Sequence, residues 1–151
     1  MTRFYSIDEA NAAIPEVERI LMDLRDQRAE LIVLRDAILR APAAEHGALD
    51  RDPTQAPQGA ATSSSPNLAP SDVRRLRLRM QGLIDQMQAG VTRLVERDIT
   101  LREIEAGLID FPALVSGRQV WLCWRLGESD VAWWHELGDG FGGRVALTDL
   151  I

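Results

Sequence analysis

The sequence predicts an α+β fold: a long antiparallel helical hairpin followed by a small three- to four-stranded antiparallel β-meander. Three observations carry this expectation. Residues 16–40 and 72–97 each repeat apolar side chains in steps of three and four, the period of an amphipathic helix. Residues 98–137 alternate in steps of two, the period of a half-buried strand. Between the two helical patterns lies a Pro/Ser-rich stretch, 42–70, which cannot bury enough surface to offset its own ordering entropy. At 151 residues the chain is expected to be a single domain with one modest core.

The first helix is expected over about 7–40. Ser6, Ile7, Asp8 and Glu9 form a capping box, in which the Ser6 hydroxyl accepts from the Glu9 amide. Pro15 removes an internal hydrogen bond, so a kink is expected near it. Val17, Ile20, Leu24, Gln27, Leu31, Leu34 and Ile38 then form a heptad seam, and Leu21, Ile32 and Leu39 widen it beyond what one neighbouring helix covers. The second helix, about 72–97, is capped by Ser71 or Asp72 and carries a matching seam from Val73 to Leu94. Gly90 within it implies a close backbone approach, because glycine in a helix interior otherwise costs ~1 kcal/mol. The stretch 42–70 reads as a flexible linker.

The meander, 98–137, is where chemistry is visible. Six of the eight aromatic residues lie between Phe111 and Phe141. Gly107 fits the left-handed position of a three-residue hairpin loop, which pairs Leu101 with Phe111 and Glu103 with Ile109. A turn at Ser116 and Gly117 pairs Phe111 with Leu122 and Ile109 with Trp124. Continuing the pattern through Gly127–Asp130 puts Cys123 opposite Trp134. It also puts His135 on the apolar face with Val131 and Trp133. The other face then carries Asp110, Trp121, Cys123, Arg125, Trp134 and Glu136. Residues 138–151 read as a Gly-rich C-terminal tail.

Composition excludes several classes. A formal charge of −6 argues against nucleic-acid binding, which needs a basic footprint. All 17 basic residues are arginine, so every cationic contact is a planar fork. Cys123 is the one cysteine, which rules out an intrachain disulfide and fits a reducing compartment. Nothing approaches the ~20 apolar residues of a membrane span, and the start lacks a signal-peptide core. A cytoplasmic location and no membrane partner are therefore expected.

Four motifs invite chemical readings. His135-Glu136 lacks the second histidine of a zinc-protease helix, and on a strand residues four apart lie ~13 Å from each other. On an apolar face His135 reads first as a hydrogen-bonded core histidine, and otherwise as a metal ligand acting with Glu9 or Glu16. Gly138–Gly143 has the spacing of a dinucleotide fingerprint but too little chain after it for a βαβ unit. It reads as a turn whose amides, with Arg144, can cradle an anion. Cys123 has no histidine beside it in this register, so it reads as a small packed residue. The candidate ligand surface is Asp110, Trp121, Arg125, Trp134 and Arg144. There an arginine holds an anion and the tryptophans take a flat group, or the same residues form a structural ion pair beneath a protein interface.

Three stretches together resemble a known family: FYSIDEANAAIPEV, ITLREIEAGLIDFPAL, and VWLCWRLGE with WWHELGDGFGGR. The chain resembles domain-of-unknown-function family 2203, small prokaryotic proteins with no assigned activity. The resemblance covers both ends and both helices and skips the Pro/Ser-rich stretch. It implies neither activity nor cofactor nor site residues.

Two function classes follow. The first is a non-enzymatic interaction or scaffold protein, expected as a homodimer because its helix faces are wide and one sheet face is rich in tryptophan. The second is a small ligand-binding protein or enzyme with an anion or metal site around Asp110, Arg125, Arg144 and His135.

Overall fold

The computed structural model describes residues 2–41 and 69–150. Two helices precede one antiparallel sheet: α1 (Ile7–Leu39), α2 (Pro70–Val95), β1 (Thr100–Glu103), β2 (Leu108–Val115), β3 (Arg118–Arg125), β4 (Trp133–His135) and β5 (Val145–Ala146). The sheet order is β1-β2-β3-β4-β5, a meander with one strand more than expected. The extra strand comes from the segment read as a tail, which also forms short 3-10 turns at Phe141–Gly143 and Leu147–Leu150. Apart from Ala69 and Pro70, the linker expectation for 42–70 lies outside the described residues.

The chain divides into two compact units, Met1–Ala29 with Asp85–Ile151, and Glu30–Ile84. In the smaller unit Ile38, Ala41 and Val73 are buried together, with Leu76 and Met80 against them. Arg79 pairs with Glu30 across its two helical segments, while Asp36 pairs with Arg35. Pro70 opens α2, at a position where its missing amide hydrogen costs nothing, and the Ala69 carbonyl accepts from Asp72 and Val73.

The larger unit holds the sheet. α1 starts at the predicted cap: the Glu9 amide donates to Ser6 Oγ at 3.1 Å. The helix then runs through Pro15 without ending. A Cβ on Gly90 would lie 3.2 Å from Leu24 Cδ2, so the glycine does admit a close approach of α2 to α1. The core joins Tyr5, Ala10, Ile14, Val17, Ile20, Leu21 and Leu24 to Leu94, Ile99, Ile109, Phe111, Ala113, Val120, Leu122 and Trp124. One sheet face thus packs on the helices by the alternation that a half-buried antiparallel sheet requires.

Registers decide what stands on the other face. β2 and β3 pair as expected, with Phe111 opposite Leu122 and Ile109 opposite Trp124. β1 and β2 pair two residues away from expectation: Leu101 faces Ile109 and Thr100 faces Asp110. Gly107 is left-handed as predicted, with φ +69°. A bulge between Leu101 and Glu103 leaves Arg102 as an extra residue. The even shift keeps the faces of Thr100 and Leu101, whereas beyond the bulge Glu103 pairs with Leu108, one residue from the expected Ile109. The β3–β4 register differs by one, with Trp121 opposite His135, Leu122 opposite Trp134 and Cys123 opposite Trp133. A one-residue slip exchanges the faces of a whole strand. Trp134 therefore packs against the core, and His135 joins Asp110 and Cys123 on the far face.

The slip has a local cause. β3 stops at Arg125, and Gly127 turns the chain at φ +106°. The Arg125 amide donates to the Glu128 carboxylate at 2.6 Å instead of continuing a ladder. Val131 is buried, but from the connection 126–132 and not from a strand; its amide donates to Asn11 Oδ1 at 2.7 Å. Its burial therefore fixes nothing about the parity of β4.

Candidate functional site

The far face of the sheet carries a buried polar row. Asp110 on β2 and Cys123 on β3 are direct cross-strand partners, and His135 on β4 is diagonal to Cys123. All three are almost fully enclosed, with relative exposures of 1, 1 and 2%. One ligand atom from each, a carboxylate oxygen, Sγ and a ring nitrogen, lies within 4.8 Å of the other two.

His135 is held from both sides. Its Nδ1 lies 2.9 Å from the Glu136 backbone carbonyl, and its Nε2 lies 3.0 Å from both oxygens of Asp110. A carbonyl only accepts, so Nδ1 carries a hydrogen. Nε2 of a neutral ring is then a lone pair aimed at a carboxylate, which also only accepts. The contact needs a proton or another cation between the two groups.

Arg102, the bulge residue, supplies the charge partner. Its Nε donates to Asp110 Oδ2 at 2.7 Å, and its guanidinium lies 5.1 Å from the centre of the Trp121 ring. The bulge re-aims this side chain along the strand, as bulges beside binding sites do. Cys123 is not set up as a nucleophile. Burial, and then the Asp110 carboxylate, push its thiol up to about 12, whereas reactive thiols are lowered by cationic surroundings.

Above the row lies a cavity of about 290 Å³. Its lining combines the polar Asp110, Cys123, His135 and Arg102 with the apolar Leu108, Leu137 and Phe141 and the turn 138–140. The Gly-rich segment thus contributes a wall, in a 3-10 turn with no dinucleotide-binding helix after it.

A family model described as an uncharacterized conserved protein (DUF2203) matches residues 3–147. The chain belongs to the DUF2203 family. No curated protein and no solved structure matches it.

The ligand surface expected from the sequence is only partly assembled in this DUF2203 chain. Asp110 is at its centre and Trp121 lies under Arg102. Arg125 sits 5.9 Å from the Phe141 ring and lines a separate recess of about 240 Å³ with Glu103, Ala106, Leu108 and Phe141. Arg144 does not face an open anion cradle: its Nη2 meets both Glu128 oxygens at 2.7 and 2.8 Å, with its guanidinium against Trp133 and Phe141. Trp134 is on the opposite face, so the proposed stacking of Arg125 on Trp134 does not form. The metal partners considered for His135 are engaged elsewhere, Glu9 with Arg3 and Glu16 with Arg97. Its neighbours are Asp110 and Cys123. Glu136 turns outward to pair with Arg118 at 2.6 Å.

Arg102 and Cys123 are the site residues the sequence reading passed over. Arg102 shares strand parity with Thr100 and so with Asp110, which was a usable signal. Cys123 was set aside because the assumed register gave it Trp134 as partner.

Proposed function

We propose that this protein binds a small ligand in the cavity over Asp110, Cys123 and His135, as a ligand-binding protein or enzyme. The observation that supports this is the buried polar row itself. An aspartate, a histidine and a thiol enclosed together weaken a core unless they are needed, because burying polar groups costs free energy that apolar packing does not. The cavity borders all three and is also lined by apolar side chains, the usual make-up of a small-molecule site. A buried free thiol also fits a reducing compartment such as the cytoplasm.

Thermal shift with a panel of small carboxylates, phosphates and nucleotides tests the proposal. A ligand present at ~100 times its Kd raises stability by ~2.7 kcal/mol, or ~5–10 °C in a chain of this size. Leu137→Trp, at the half-exposed wall of the cavity, should abolish the shift and leave the ligand-free melting temperature unchanged. A flat panel, or a shift that survives Leu137→Trp, removes the proposal.

Self-association is the second reading. Val33, Leu39 and Leu78 are exposed apolar residues of the smaller unit. Light scattering at micromolar concentration should give a dimer mass that Leu39→Glu with Leu78→Glu halves, and a monomer mass for the parent chain rejects it.

A further inference from the structure

Three features of the polar row point to a cation. The first is the donor set: nitrogen, sulfur and oxygen atoms within 4.8 Å of one another, each from a different strand of one rigid sheet. Tetrahedral zinc with bonds of ~2.0–2.3 Å places its ligand atoms roughly 3.3–3.8 Å apart. A side-chain adjustment of ~1 Å therefore closes the set. The second is the His135 contact. With Nδ1–H fixed on the Glu136 carbonyl, Nε2 faces the Asp110 carboxylate at 3.0 Å, a contact that is satisfied by a proton or by another cation between the two groups. A backbone carbonyl orienting a histidine so that its other nitrogen binds metal is the usual outer-shell arrangement. The third is charge. With Asp110 paired to Arg102, a divalent ion on a Cys123 thiolate carries one net positive charge, which an anionic fourth ligand cancels, so the row can be buried without an uncompensated charge.

Resting on the ligand-site reading above, we propose that Asp110, Cys123 and His135 hold one divalent zinc-type ion whose remaining coordination position is turned to the cavity. Three protein ligands with an open fourth position is the catalytic form of a zinc site; structural sites are closed by four. Arg102 on Asp110 Oδ2 is the outer-shell partner of the carboxylate. It leaves Oδ1 for the ion and adds a positive charge beside the open position. The cavity then takes a small anion, such as a carboxylate, as the fourth ligand. A coordinating ion deprotonates a thiol outright, so Cys123 would bind as a thiolate.

Untagged protein should carry close to one zinc per chain by elemental analysis. EDTA-treated protein should take up one equivalent of Zn²⁺ in calorimetry. Co²⁺ in its place should give a thiolate-to-metal charge-transfer band. Cys123→Ser should remove that band, and Cys123→Ser, His135→Gln and Asp110→Asn should each weaken Zn²⁺ binding ~100-fold or more, beyond the ~10–100-fold expected for the outer-shell variant Arg102→Met. Glu9→Gln and Glu16→Gln should change nothing. Circular dichroism identifies any variant that fails to fold, and the Co²⁺ spectrum of the unaltered chain decides the matter if all of them do. No uptake by the parent chain, or uptake that survives both Cys123→Ser and His135→Gln, overturns the proposal. The anion panel runs in parallel on EDTA-treated and zinc-loaded protein. A ligand shift without metal uptake overturns the ion and leaves the cavity reading intact. Metal uptake with a flat panel supports the ion and removes the cavity reading.

Discussion

Substituting Asp110 in two ways separates hydrogen bonding from shape. In the metal-free protein the His135 Nε2 faces an acceptor, Asp110. Asparagine at 110 keeps the volume, leaves an oxygen on Arg102 Nε and turns an NH2 group toward Nε2. Every donor then meets an acceptor with no shared proton. The loss is the charge attraction to Arg102, whose side chain is 41% exposed; a pair so solvated contributes ~0.5 kcal/mol. The gain is a satisfied buried hydrogen bond, about 1 kcal/mol. Asp110→Asn should therefore stay within ~1 kcal/mol of the parent chain. Asp110→Ala leaves Nε2 buried without a partner, at ~1–3 kcal/mol. It also loses the Arg102 pair and opens a space of a few tens of cubic ångströms, which adds roughly 1 kcal/mol. The expected loss is ~3–4 kcal/mol, a drop of roughly 6–16 °C in melting temperature. Urea titration in EDTA, followed by tryptophan fluorescence, measures both. Equal losses in the two variants would refute the account of His135, because they would mean that Asp110 matters for its charge and not for what it offers Nε2.

Two further outcomes follow from the same unit. Gly107→Ala should cost ~2–4 kcal/mol, because a left-handed residue is replaced where a Cβ would lie 2.5 Å from Leu126 Cβ; Gly117→Ala, equally left-handed but in open space, should cost only ~1–2 kcal/mol, and chemical denaturation ranks them. Tyr5 donates to the Arg97 carbonyl at 2.7 Å, and burial raises its hydroxyl above the ordinary value, so the native state favours the neutral phenol. That contribution is complete below the unfolded value of about 10 and is lost as pH rises through the higher folded value. Tyr5→Phe should be less stable by ~1 kcal/mol at neutral pH and should lose less stability above pH ~10 than the parent, as read by melting temperature across pH.

The helices and the packed sheet face were legible because burial repeats with the period of the element. Ser6, Gly90 and Gly107 each carried a local rule that tertiary structure did not override. The β2–β3 register was legible because a tight turn fixes it from both sides. The candidate site was less legible, and for one reason. Its residues are in the sequence, but their meeting depends on the parity of β4, set by the connection 126–132. Val131 suggested that alternation resumes directly after Gly127–Asp130. In the structure its side chain is buried in the core while its amide is held by Asn11 on α1, a residue separated from it by most of the chain. No pattern within the strand itself could report that. The Arg102 bulge was hidden for a similar reason: it reverses the parity of only Glu103, at the end of a short edge strand, too little chain for a pattern to show.

The same parity explains why polar residues can be buried here at all. The apolar face is complete without β4's histidine: Ile109, Phe111, Leu122, Trp124 and Trp134 cover the helices. His135 is therefore free to stand on the other side, where a sheet this small would ordinarily meet water. What encloses it is the segment after β4. Gly138–Phe141 folds back over the row, and Arg144, clamped by Glu128 and two aromatic rings, holds that segment in place. The Gly-rich segment thus lines the cavity beside Asp110, Cys123 and His135, together with Arg102, Leu108 and Leu137. A site enclosed in this way has its reactive atoms on rigid strands and its wall on a short, separately anchored turn. That division is what a ligand-binding centre needs, because donor atoms must stay fixed while something enters beside them.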